Sequence, residues 1–279
     1  MTLSTLLTGL AFGESPRWHD GRLWVCNWTA SEIIAVDAEG TAEVVVHLPF
    51  ATFPFSIDWL PDGRLLIVSA SEQPLLVREP DGRLVPYART EGGWNEVVIA
   101  ASGDVYVNAA GFDMMAGAPF APGGVSLVSA HGEVRQMADG IAFPNGMAIT
   151  PDGRCLIVAD SYGHELTAFS IGPDGVLSER RTWAALGEGT PDGICLDADG
   201  AVWYADVPNR RCVRLREGGE ELQVVEADRG CFACMLGGAD GRTLFIAAAE
   251  WNGPAAMSSQ ARSGVIYTTH APAPHAGRP

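Results

Sequence analysis

Apolar and polar residues alternate along this chain in short bursts, punctuated by Gly, Pro and Asp. Arg22-Leu23-Trp24-Val25, Leu65-Leu66-Ile67-Val68, Val105-Tyr106-Val107, Cys155-Leu156-Ile157-Val158, Val202-Trp203-Tyr204 and Thr243-Leu244-Phe245-Ile246 are such bursts. Runs of about four to eight residues with this texture, bounded by turn formers, read as β-strands. A second alternating run follows, as in residues 31–37 and 165–169, and often a further short one, as in Glu43-Val44-Val45-Val46. Nowhere does an apolar stripe hold a helical period for three turns.

Ahead of each burst stands a phrase that ends in a turn glycine. The phrases are Gly13-Glu14-Ser15-Pro16-Arg17-Trp18-His19-Asp20-Gly21 and the stretches 55–63, 95–103, 145–153, 192–200 and 233–241. The closing glycines, Gly21, Gly63, Gly103, Gly153, Gly200 and Gly241, lie 40 to 50 residues apart. Repeats of this period mark solenoids, propellers or arrays, and four antiparallel strands per repeat make a propeller blade. The pattern predicts an all-β, six-bladed β-propeller of four-stranded antiparallel blades, forming one domain over residues 1–279. The last repeat supplies three clear strands, ending at residues 264–269, while residues 2–7 precede the first phrase and have no partner in blade one. The N-terminal strand is therefore expected to complete blade six, which closes the ring and removes two open sheet edges. The tail, residues 271–279, has three prolines and no apolar pattern, and is expected to be loose.

If each phrase forms the innermost strand of its blade, its first residue sits at the same height around a central channel. Aligned on the glycine, those residues are Glu14 (one place closer), Phe55, Asn95, Asn145, Asp192 and Ala233. Asn and Asp beside Gly often open turns, which accounts for Asn145-Gly146 or Asp192-Gly193 singly but poorly for four equivalent positions. Glu14, Asn95, Asn145 and Asp192 instead predict a ring of hard oxygen ligands with two carboxylates. Such a set suits Ca²⁺, Mg²⁺ or Mn²⁺, with Fe²⁺ or Zn²⁺ also admissible. An incompletely filled divalent ion polarises a carbonyl or phosphoryl oxygen and acidifies bound water, and a carboxylate beside it can act as general base. Metal-assisted hydrolysis is the reaction class these residues point to.

Composition narrows the partners. Eighteen basic against 34 acidic residues give a net charge of −16, which disfavours nucleic acid and anionic membrane surfaces. No segment reaches the ~18 apolar residues of a membrane helix, and the N-terminus lacks a signal-peptide pattern; a cytoplasmic protein, monomeric or weakly self-associating, is expected. Cys26, Cys155, Cys195 and Cys212 lie in or beside strand runs and read as small core residues. Cys231 and Cys234 form a C-x-x-C without a second pair or a nearby His at zinc spacing. No G-x-S-x-G elbow is present, and the spacing in Ser161-Tyr162-Gly163-His164 reads as a strand exit rather than a catalytic pair.

Gly13-Glu14-Ser15-Pro16, Phe143-Pro144-Asn145-Gly146, Pro191-Asp192-Gly193 and Cys231-Phe232-Ala233-Cys234 with Gly237-Gly238, in this order, resemble the SMP-30/gluconolactonase/luciferin-regenerating enzyme (LRE) family over roughly residues 10 to 270. The resemblance implies one divalent metal in the channel of a six-bladed propeller, calcium among the candidates. It implies Glu14, Asn145 and Asp192 as ligands, Asn95 at the metal or the substrate, and Asp192 as general base. The implied activity is opening of a sugar lactone to its acid, with a small-molecule lactone as the substrate. One departure stands out. The arginine that helps hold the sugar in animal members is replaced here by Gly93 in Gly92-Gly93-Trp94-Asn95. Trp94, Phe112 and Met114 are candidates for the substrate-pocket wall, and with the apolar ring residues Phe55 and Ala233 they point to a less polar substrate, unless the loop Gly111-Phe112-Asp113-Met114-Met115 supplies donors. A phosphotriesterase or other esterase using the same ion is the alternative within hydrolases. A non-catalytic ligand-binding propeller with a structural metal is the alternative outside them.

Overall fold

The computed structural model describes residues 2–49, 53–70, 75–88, 93–129, 132–253 and 262–277. After an N-terminal strand, β1 (Ser4–Leu10), the chain builds blade one from β2 (Gly13–His19), β3 (Arg22–Asn27), β4 (Glu32–Val36) and β5 (Ala42–His47). Blade two follows with β6 (Phe55–Trp59), β7 (Leu65–Ser69), β8 (Leu75–Arg78) and β9 (Leu84–Ala88). Blade three has β10 (Glu96–Ile99), β11 (Val105–Ala109), β12 (Gly123–Val128) and β13 (Val134–Ile141). Blade four has β14 (Pro144–Ile149), β15 (Cys155–Asp160), β16 (Glu165–Ile171) and β17 (Leu177–Ala185). Blade five has β18 (Pro191–Leu196), β19 (Val202–Asp206), β20 (Arg211–Leu215) and β21 (Glu221–Glu226). Blade six has β22 (Gly230–Gly237), β23 (Thr243–Ala249) and β24 (Gly264–His270), and its fourth strand is β1.

This is the expected six-bladed propeller of four-stranded antiparallel sheets, closed by the N-terminal strand. β1 runs antiparallel to β24, pairing Thr5 with Tyr267 and Thr8 with Val265. The only helical element among the described residues is a 3₁₀ turn at Trp28–Ala30, and no helix is long and apolar enough to cross a membrane. All six phrase-ending glycines hold a positive φ, from 69° at Gly153 to 91° at Gly103. That is the left-handed region in which Gly has no Cβ penalty, which is why the phrase ends in the same residue each time.

Both faces of a blade pack on neighbouring blades, so the inner strands are buried along their length rather than alternating between buried and exposed. β7 and β10 are buried at every residue, whereas the outer strand β5 exposes most of its length. The core lies between blades. Val68, Leu75 and Val77 of blade two pack with Val97, Ile99 and Val105 of blade three. Leu156 and Val158 of blade four join Val98, Tyr106 and Leu127 of blade three. The first strands of successive blades, β2, β6, β10, β14, β18 and β22, touch one another in a closed circle. They line the channel, as the repeat predicts.

The tail departs from expectation. Ala271 and Ala273 are fully buried, Pro274 O accepts from Ala198 N, and His275 N and Ala276 N donate to Gly241 O and Leu196 O at 2.9 and 3.1 Å. Residues 271–277 are thus docked under blades five and six by backbone hydrogen bonds, which satisfy polar groups without requiring any side-chain pattern. Arg278 and Pro279 lie outside the described residues.

Candidate active site

Three of the four proposed ring ligands sit on the same local irregularity. In blade one the pairing skips from Glu14↔Cys26 to Arg17↔Trp24, so one extra residue is inserted. Blade four skips from Pro144↔Asp160 to Met147↔Val158, and blade five from Pro191↔Asp206 to Ile194↔Tyr204. A bulge re-aims the side chain beside it and bends the strand. Here each bulge sits where a strand enters the channel and holds Glu14, Asn145 or Asp192. Ser15, within the first bulge, takes φ +44°.

Glycine follows the ligand in two of these bulges because the inner strands nearly touch. A Cβ on Gly146 would lie 2.6 Å from Asp192 O and Ile194 N, and one on Gly193 would lie 2.5 Å from Ala233 Cβ. Asn95 reaches the ring differently. It stands just before β10, with its N–H donating to Asn108 O.

Glu14, Asn95, Asn145 and Asp192 all line one cavity of about 760 Å³, and so do Trp94, Phe112 and Met114. Asn95 Nδ2 donates to Asn145 Oδ1 and to Pro144 O at 3.5 Å. Asn145 Nδ2 donates to Ser161 Oγ at 3.4 Å, and Ser161 Oγ donates to Pro191 O at 2.6 Å. Asn108 Nδ2 anchors the strand behind them on Asn145 O at 2.6 Å, while its own buried Oδ1 has no partner. Phe55 and Ala233 do not line the cavity. Phe55 is fully buried between blades one and two, and Ala233 fills the space beneath Gly193. Ser161 and His164 make no catalytic pair: His164 Nδ1 meets Gly189 O at 2.8 Å.

The two carboxylates are short of positive charge. Burial pushes Glu14 up to about 8, with Glu96 adding to the rise and the Ser15 N–H and Arg17 opposing it. Asp192 is raised well above the ordinary carboxylate range by desolvation first and then by the charges of Glu14 and Glu96, against a hydrogen bond from Asn145. Two buried acids, one of them raised further by the charge of the other, form a site a divalent cation would relieve. Among the described residues no trio of His, Cys, Asp and Glu gathers at metal-binding distance. The set here has two carboxylates and is completed by amide oxygens, which is the donor chemistry of a hard cation.

Beneath the ring lies an ion pair that the sequence did not reveal. Arg17 Nη2 donates to Glu96 Oε1 at 2.8 Å, with both side chains under one-tenth exposed. Arg17 also donates to Val97 O and Pro16 O, and Ser15 Oγ donates to Glu96 Oε2 at 3.3 Å. The pair spans the channel from blade one to blade three. Phe143 and Tyr162, also unforeseen, line the cavity beside Phe112, with ring centres 4.8 Å apart.

A family profile described as SMP-30/Gluconolactonase/LRE-like region matches residues 12–250. A 6-deoxy-6-sulfogluconolactonase of Pseudomonas putida is 29% identical over 157 residues, covering 54% of each chain. Regucalcin of Danio rerio is 29% identical over 218 residues, covering 76% of this chain and 68% of regucalcin. The match thus spans about half the length of the first relative and about two thirds of the second. Among solved structures, a calcium-binding protein, regucalcin, from Agrobacterium tumefaciens superposes with a TM-score of 0.79 at 22% identity, covering 97% of this chain and 93% of its own.

Proposed function

The chain belongs to the SMP-30/gluconolactonase/LRE-like family, and from that premise we propose that it is a metal-dependent hydrolase that opens a lactone ring. The observation that carries this reading is the pair of buried carboxylates with raised proton affinity, Glu14 and Asp192, set with Asn145 on the floor of an open cavity. Lactonase names among its relatives, such as the Pseudomonas putida enzyme, agree with it.

Glu14, Asn145 and Asp192 would hold the ion, with Asn95 beside them. When bound, a divalent cation there would polarise the lactone carbonyl and acidify a nearby water. Asp192 accepts the proton of the attacking water on a carboxylate oxygen. A carboxylate held beside the ion and next to the attacking water suits a general base. Water adds to the carbonyl carbon, the ring C–O bond breaks, and the proton held by Asp192 passes to the departing alkoxide. The product is the open hydroxy acid. Asn145 keeps Asp192 oriented through its side-chain hydrogen bond, and Asn95, which lines the same cavity, would contact the substrate. Positioning of this kind removes much of the entropic part of the barrier.

The test is lactone hydrolysis after chelation, with Ca²⁺, Mg²⁺, Mn²⁺, Fe²⁺ and Zn²⁺ restored singly. Turnover that returns with one ion and disappears in Glu14→Gln supports the reading. Tight stoichiometric binding of an ion without turnover of any lactone would overturn it in favour of a structural metal, and turnover confined to phosphotriesters or open esters would replace lactones with those substrates.

A further inference from the structure

We infer that the lactone taken by this site is uncharged and carries an alkyl or aryl substituent, and is not a polyhydroxylated or anionic sugar lactone. The inference rests on the lactone-hydrolase reading above and deepens it.

Glu14, Asn95, Asn145 and Asp192 form a polar floor to the cavity. Above them, blades three and four contribute Phe112, Met114, Phe143 and Tyr162, and across the channel blades six and one contribute Phe232, Trp251 and Trp28. These form continuous aromatic surfaces. Phe112, Phe143 and Tyr162 have centres 4.8 to 6.3 Å apart, and Phe232 lies 5.8 Å from Trp251. A volume of about 760 Å³ falls in the upper part of the range of about 300–1,000 Å³ typical of sites for drug-sized ligands. A bare lactone ring over the floor would leave most of it filled with water against apolar walls.

Three observations argue against a sugar. First, each substrate hydroxyl that loses water without gaining a partner costs roughly 5–150-fold in affinity, and these walls offer few donors. Second, Gly93, where the family resemblance expects a sugar-holding arginine, has no room for any side chain: a Cβ there would lie 2.5 Å from Ala70 Cα and 2.9 Å from Ala70 O. Third, the chain contains no lysine, and among the described lining residues there is no Arg or His and the one charged residue beyond Glu14 and Asp192 is Asp113. A sulfonate or phosphate on the substrate would meet no basic side chain among the described lining residues.

The apolar surface also continues outward. Phe120, 58% exposed, packs edge-on to Phe112 at 5.5 Å, and Tyr162, 47% exposed, donates to Met114 Sδ at 3.6 Å. Large aromatics left open at the mouth of a cavity mark a surface awaiting an apolar guest. A substituent that extends from the ring would cover them.

The experiment compares three neutral lactones with the same six-membered ring, using metal-loaded protein: δ-valerolactone, its pentyl-substituted form δ-decalactone, and glucono-δ-lactone. We expect kcat/KM to be at least about tenfold higher for δ-decalactone than for δ-valerolactone, from burial of the added methylenes, with glucono-δ-lactone lowest. In Phe112→Ala, on a surface loop whose truncation does not threaten folding, the ratio of the first two should fall toward one through KM. Equal or faster turnover of glucono-δ-lactone overturns the inference. If none of the three is hydrolysed, the lactone-hydrolase reading itself fails, and a second measurement still decides the cavity's preference. It is binding of the corresponding lactams, which resist hydrolysis, read by quenching of the lining tryptophans Trp28, Trp94 and Trp251. Pentyl-lactam binding about tenfold tighter than the unsubstituted lactam supports an apolar-substituent site, and equal affinities refute it.

Discussion

The ion pair beneath the ring offers the sharpest test of how this channel is held together. Arg17 and Glu96 stand 2.8 Å apart. At that distance, with an effective dielectric of about 20, their attraction is about 6 kcal/mol before desolvation is charged against it. Desolvation offsets much of that, so replacing both by apolar residues of similar volume should cost little. Removing one partner should cost about 3–5 kcal/mol, because the survivor is left charged and buried. Arg17 is the more exposed to this loss, since its buried Nε already lacks a partner. We therefore expect Arg17→Met and Glu96→Leu each to lower the melting temperature by roughly 6–20 °C. The double variant should be far less damaged than the sum, with a coupling of about 2–3 kcal/mol in a urea-denaturation cycle. The two charges also act on Glu14 in opposite directions. Divalent-ion affinity, measured by calorimetry, should accordingly rise in Arg17→Met and fall in Glu96→Leu although both lose stability. Additive losses within about 0.5 kcal/mol, or affinities that move the same way in both variants, would refute the reasoning.

Other expectations follow from the site. Asp192→Asn should lower kcat by roughly 10²–10⁴-fold, measured at saturating lactone and saturating metal so that weaker ion binding cannot account for the loss. Gly146→Ala forces a Cβ into Asp192 O and Ile194 N; it should cost about 1–3 kcal/mol in urea denaturation and weaken ion binding, whereas Gly153→Ala, strained at φ +69° but without neighbours, should lose stability alone. For metal-free protein the raised pKa of Glu14 sets a pH dependence. Between its ordinary value of 4.5 and about 8 the folded form holds the proton that the unfolded form has lost, so stability should fall as pH rises through that window. A saturating divalent ion should abolish that slope, as read by thermal melts across pH.

The architecture was legible because a propeller writes itself into sequence as a period, and the turn glycines that mark it are required by their positive φ. The four oxygen-bearing positions were legible for the same reason: equivalent places in a repeat become neighbours around the axis. The apolar members of the ring were misleading. Phe55 pairs with Ser69 and runs on through Trp59↔Leu65 without any register shift, so blade two has no bulge to turn its first residue into the cavity. Arg17 and Glu96 were hidden because strict alternation places Glu14 and Arg17 on opposite faces. Only the inserted residue between Glu14 and Arg17 lets one strand send both toward the channel. The docked tail carried no signal, since its bonds are made by backbone atoms and its buried residues are alanines.

The pairing of β1 with β24 sets an order of events. As the chain emerges, blades one to five can complete themselves from adjacent sequence, but residues 4–10 must wait for residues 264–270 before they have a partner. Glu14 follows directly on that waiting strand, and Asp192 belongs to a blade packed against blade six. The two carboxylates can therefore be held at their working distance only once the circle has closed. Such late, distant pairings slow folding, and they leave open strand edges exposed in the meantime. The same arrangement makes the position of the break in the ring arbitrary. A circularly permuted chain, joined between β24 and β1 and reopened at a surface turn of another blade, would present the same floor and the same walls to its substrate.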